Sequence, residues 1–62
     1  MERLIHAADI RPGDKLKVLV QGYPFWHYIE DVSMDGEIVR VYSGQTVFNR
    51  HARELVTVQE GV

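Results

Sequence analysis

Turn-forming residues punctuate this chain at short intervals: Pro12-Gly13-Asp14, Gln21-Gly22-Tyr23-Pro24, Ser33-Met34-Asp35-Gly36 and Ser43-Gly44-Gln45. Proline presets φ and glycine accepts positive φ, so each cluster marks a reversal. The segments between them are rich in β-branched and aromatic residues. Lys15 to Val20 alternates, with Leu16, Val18 and Val20 on one face and Lys15, Lys17 and Leu19 on the other. A period of two with one apolar side is a half-buried strand. Such strands, each bounded by turn residues, predict a small all-β barrel or sandwich.

The stretch Asp35-Gly36-Glu37-Ile38-Val39-Arg40-Val41-Tyr42 reads as a turn feeding the central strand. Ile38 and Tyr42 share one face, Val39 and Val41 the other, which predicts cover on both sides or a bulge. The expected neighbours are Gly13–Val20 before it, then Thr46–Phe48 and Leu55–Val58 after it. Phe25 to Val32 supplies the fifth strand. In one parity Phe25 and Ile29 point inward and Trp26, Tyr28 and Glu30 outward; the opposite parity, with Trp26 and Tyr28 inside, has almost equal support. Residues 49–54 are polar and fit a single 3₁₀ turn. Residues 1–10 leave a short helical turn and an edge strand both open, because ten residues cannot hold an isolated helix. Glu60-Gly61-Val62 is expected to fray.

With 62 residues, a chain buries only ~60% of its unfolded surface, and one domain is the expectation. Cysteine is absent, which removes disulfides and thiolate metal sites. Seven Lys and Arg against nine Asp and Glu give a net charge of −2. That balance lacks the basic footprint of a general nucleic-acid binder. No apolar run approaches the ~20 residues of a membrane span, and Met1-Glu2-Arg3-Leu4-Ile5-His6 lacks the core of a secretory signal. A soluble cytoplasmic protein is the expectation.

Gly13-Asp14-x-x-x-Val18, Gly36-Glu37-Ile38-Val39-x-Val41 and Arg53-Glu54-Leu55-Val56-x-Val58 together resemble an SH3-like barrel. The outline is similar to KOW-type domains of transcription and ribosomal proteins. It also resembles the small barrel subunits of photosystem I and of ferredoxin–thioredoxin reductase. The resemblance spans roughly residues 9–58. It implies five antiparallel strands and a short 3₁₀ turn leading through Glu54-Leu55 into the last strand. Where KOW domains often carry a glycine shortly before a basic residue, this chain carries Gly22-Tyr23-Pro24-Phe25-Trp26. The resemblance therefore implies a scaffold, and the activity has to be argued from the surface.

Four of the six aromatic residues fall within Tyr23-Pro24-Phe25-Trp26-His27-Tyr28. A tiny core cannot hold them all, and exposed Trp and Tyr are enriched at binding surfaces. The plain alternative is that Phe25 and Trp26 form the core; the balance favours core for Phe25 and exposure for Trp26 and Tyr28. The expected partner-binding patch is Tyr23, Trp26 and Tyr28, edged by Glu30, Arg40 or Arg53. Arg40, Arg50, His51 and Arg53 could grip a phosphate or carboxylate, but read more simply as a solvated loop neutralised by Glu54 or Glu37. Lys15 and Lys17 extend such a patch or protect a strand edge.

The three histidines, His6, His27 and His51, show no pair three or four apart, so no metal and no cofactor is expected. His27 fits a partly buried barrel residue or a pH-sensitive contact. No Gly-rich phosphate loop, no Gly-x-Ser-x-Gly and no Cys nucleophile is present, and no enzyme is expected. The leading expectation is a protein-interaction module or accessory subunit. The alternatives are a KOW-like nucleic-acid binder, with aromatics stacking bases, and a homo-oligomer that buries the aromatic segment between copies.

Overall fold

The computed structural model describes residues 1–61. Its strands are β1 (Glu2–His6), β2 (Lys15–Val20), β3 (Tyr23–Tyr28), β4 (Asp31–Asp35), β5 (Ile38–Ser43), β6 (Thr46–His51) and β7 (Leu55–Gln59), with a 3₁₀ turn at Ala7–Asp9. They form two antiparallel sheets. One has the order β1-β7-β2-β3; the other is the meander β4-β5-β6. Among the described residues seven strands thus stand where the sequence reading expects five, and no ladder closes the two sheets into a barrel.

The differences have local causes. Tyr23 and Pro24, read as turn, lie in a strand, because Gln21-Gly22 alone makes the reversal. The Phe25–Val32 run divides at Ile29-Glu30, where the chain passes from one sheet to the other. Glu30 N–H donates to Tyr42 O at 2.8 Å, and Ile29 is completely buried at that corner. Residues 49–51 extend β6, because Asn49, Arg50 and His51 pair with Arg40, Val39 and Ile38. The 3₁₀ turn expected over residues 49–54 is therefore absent; only a tight turn at Ala52-Arg53 remains. The chain's 3₁₀ turn lies near its start instead.

That start is built into the fold. β1 pairs with β7 along its whole length, from Glu2↔Gln59 to His6↔Leu55. Ala7 N–H then donates to Glu54 O at 2.8 Å and Ala8 N–H to Ala52 O at 3.0 Å. Ala7 is fully buried there. The first ten residues hold both elements that their sequence leaves open.

β5 is the middle strand of its sheet, but its partners are β4 and β6, not β2 or β7. Val39 and Val41 are fully buried, whereas Ile38 on the opposite face is exposed. One face is covered, not two. The core comprises Ala7, Ile10, Leu16, Ile29, Val39, Val41, Val56 and Val58. Each larger member contributes about 1.5–3 kcal/mol of gross burial energy. No polar side chain is buried among the described residues, so the core carries no desolvation penalty of that kind.

Candidate functional site

The β2–β3 hairpin begins at the core and runs beyond it. Leu16 is fully buried, Val18 is half-buried and Val20 is exposed, although all three share one face. Opposite them in register stand His27, Phe25 and Tyr23. The core face of the hairpin therefore fades into solvent toward its tip. Gln21 (φ 52°) and Gly22 (φ 84°) make that tip, with positive φ at both central residues as a type I′ turn requires.

The other face is set by Lys15↔Tyr28, Lys17↔Trp26 and Leu19↔Pro24. Tyr28 is 56% and Leu19 65% exposed; Trp26 is half-buried. The two lysines and two aromatics alternate across the strands on this outward surface. Tyr23, 70% exposed, and Phe25, 51% exposed, lie on the opposite face. The patch expected from Tyr23, Trp26 and Tyr28 is thus divided between two faces of one strand. Phe25, which the sequence balance places in the core, is the more open of the pair Phe25 and Trp26. Its position is core-facing, but the core ends one residue pair earlier.

The arginines do not assemble beside the aromatics. Arg40 lies on β5, in the other sheet, and donates to Asp35 Oδ2 at 3.0 Å. Its register partners Ser33 and Asn49 place it on the outward face of the meander. Arg53 lies in the β6–β7 connection, where its N–H donates to His51 Nδ1 at 3.2 Å. Arg50 is on the core-facing side of β6, 3.6 Å from Glu54 and with its guanidinium 5.9 Å from the Phe48 ring centre. His51 sits 3.3 Å from Glu37. Neighbouring carboxylates thus meet the charges of Arg40 and Arg50, and a third, Glu37, lies beside the His51 ring. Glu30 is exposed at the corner after β3.

A cleft of about 360 Å³ opens where β2 and β7 part company. Their pairing stops after Lys15↔Gln59 and Leu16↔Val58. Beyond it, Val18 and Leu19 face Leu55 and Val56 across the gap, with Arg50 at its side. Sequence reading misses this surface: Leu19 and Leu55 carry the outward parity of their strands, but nothing local signals that the strands diverge. Among the described residues, no three His, Cys, Asp or Glu side chains come together in a metal-binding arrangement. No helix of the described residues is long and apolar enough to cross a membrane. No family model matches the chain, and no curated protein or solved structure matches it significantly.

Proposed function

We propose that this chain is a non-enzymatic protein-interaction module, an adaptor or accessory subunit, whose docking surface is the β2–β3 hairpin. One observation carries the reading. From Val18 to Ile29 the chain has no Asp, Glu, Lys or Arg, and it supplies the exposed side chains Leu19, Val20, Tyr23, Phe25 and Tyr28. Exposed apolar side chains concentrated on both faces of one hairpin, with no acidic or basic residue from Val18 to Ile29, support an interaction site there. Aromatic side chains on a two-residue hairpin also lose little entropy when a partner covers them.

The SH3-like reading of the fold belongs to the same proposal. It is supported by the last strand lying between β1 and β2, with a three-stranded meander completing the domain. The long β2–β3 hairpin is a departure from the outline that the sequence resembles. The test is to isolate tagged protein from its own cells, identify the bound protein, and repeat the binding with purified components. Trp26→Ala and Tyr23→Ala should each weaken that binding while circular dichroism stays unchanged. Binding indifferent to both substitutions would end the proposal.

A second reading rests on the cross-strand pairs Lys17–Trp26 and Lys15–Tyr28. Bases stack on exposed aromatics while lysines track phosphate, as in single-strand binders. The net charge of −2 and the ion pairs of Arg40 and Arg50 weigh against it. Titration with a single-stranded oligonucleotide at low salt separates the two. Affinity that falls steeply with salt would promote this reading over protein docking.

A further inference from the structure

β3 is the free edge of its sheet, and its hydrogen-bond parity is fixed. Ile29 N–H donates to Asp14 O at 2.8 Å, so in the same register Leu16–His27, Val18–Phe25 and Val20–Tyr23 are the pairs that exchange backbone bonds. A two-residue hairpin requires the same of Val20 and Tyr23. Pro24, Trp26 and Tyr28 therefore turn their backbone groups away from β2, toward open solvent. Pro24 fits that position because no donor is owed there.

Edge strands are ordinarily protected by charge. The other three edges follow that rule: β1 carries Glu2 and Arg3, β4 carries Asp31 and Asp35, and β6 carries Arg50. β3, Tyr-Pro-Phe-Trp-His-Tyr, carries none. Pro24 blocks only its tip-proximal half, leaving the N–H and C=O groups of Trp26 and Tyr28.

We infer that β3 pairs antiparallel with β3 of a second copy about a two-fold axis at His27, setting Trp26 of each copy opposite Tyr28 of the other. In this register both copies use every outward N–H and C=O of Trp26 and Tyr28. Moving the axis to Trp26 would bring Pro24 opposite Tyr28 and leave the Tyr28 carbonyl without a donor. On the outer face each row then reads Lys17, Trp26, Tyr28 of the second copy, Lys15 of the second copy. The central contact is an aromatic cross-strand pair. Strands lie ~4.8 Å apart, so the two lysines of a row sit about 14 Å from each other. That exceeds the screening length of ~8 Å at physiological salt, and their repulsion is small. A second copy matches this edge in donors, acceptors and neutrality at once. Edge pairing through two residues of each copy is a small contact, and small interfaces are weak and transient, so the dimer is reversible.

The inference rests on the hairpin being the docking surface, and the experiment separates the two. Sedimentation of the full chain from micromolar to millimolar concentration should show a monomer–dimer equilibrium. Tyr28→Pro removes one outward N–H per copy and touches no bond to β2. It should weaken dimerisation at least about tenfold. Tyr28→Lys, which replaces an exposed side chain and keeps the backbone, should weaken it as well if the proline variant fails to fold. In the unsubstituted chain the Trp26 and Tyr28 amides should exchange slowly at high concentration and fast at low. A strict monomer throughout overturns the second copy as occupant, while loss of a foreign partner in Trp26→Ala would leave the docking surface standing. A dimer unaffected by both Tyr28 variants, with freely exchanging Trp26 and Tyr28 amides, overturns the edge pairing.

Discussion

The His27 and Phe48 rings lie 4.8 Å apart between centres and are inclined at 59°. His27 belongs to β3 and Phe48 to β6, so this contact joins the outer strand of one sheet to the outer strand of the other. Tilted ring pairs at this separation contribute about 0.5–1.5 kcal/mol beyond their buried area. A double-mutant cycle with His27→Ala and Phe48→Leu should return a coupling of that size in urea unfolding. Coupling within error of zero would mean that the ring contact does not help to hold the two outer strands together.

The hairpin tip gives a pair of opposed predictions. Gln21 occupies a left-handed conformation that a glutamine side chain tolerates poorly. Gln21→Asn creates Asn-Gly, the sequence best suited to a type I′ turn, and should raise stability by roughly 0.5 kcal/mol. Gly22→Ala forces an L side chain into φ 84° and should lower it by ~1 kcal/mol or more. Thermal unfolding of both variants measures the two signs. Equal and negligible shifts would show a tip that does not hold this turn.

Much of the fold is legible in the residues, and the limits are physical. Alternation places Leu16 on the core face and Lys15 and Lys17 on the other, but for Phe25, Trp26 and Tyr28 it leaves two parities open, and the register with β2 decides between them. Asp35-Gly36 and Ser43-Gly44 marked two of the three hairpins. Periodicity does not carry the distance over which a strand stays covered. Val20 and Leu16 have identical local signals, yet one is exposed and the other fully buried. The same gap explains Phe25. The β6 extension through Asn49, Arg50 and His51 lacks β propensity and exists because β5 offers a ladder, which is a tertiary cause. As for the site, a crowded aromatic segment was visible, but its division into two faces and its place at a free edge depend on which strands neighbour it.

Burial predicts a contrast along the same part of the chain. Ile29 is fully enclosed, and its backbone holds Gly13 and Asp14 through bonds of 2.8 Å each. Ile29→Ala leaves a cavity at the corner between the sheets and should cost about 2–5 kcal/mol. In a domain this small that is a large share of the total. Leu19→Ala, at a side chain 65% exposed, should stay within about 0.5 kcal/mol. Urea midpoints of the two variants test the contrast. A Leu19 cost rivalling that of Ile29 would mean that Leu19 is covered in solution.

Trp26 is the chain's one tryptophan, which makes its surroundings readable by fluorescence. It is half-buried and stands directly across from Lys17, with Lys15 opposite Tyr28 on the same face. The protein as a whole is acidic at −2, so a quencher that sensed only the net charge would prefer to be a cation. Within a screening length of ~10 Å at 0.1 M salt, however, the local lysines dominate. At low protein concentration and about 0.1 M ionic strength, iodide should therefore quench Trp26 more efficiently than caesium when each is normalised to its quenching of free tryptophan. The advantage should shrink as inert salt is added, because screening acts on the lysine field and not on collision geometry. Lys17→Gln should reduce the iodide preference without moving the emission maximum. Caesium proving the better quencher would place Trp26 away from Lys17 and overturn the β2–β3 register on which the outward face depends.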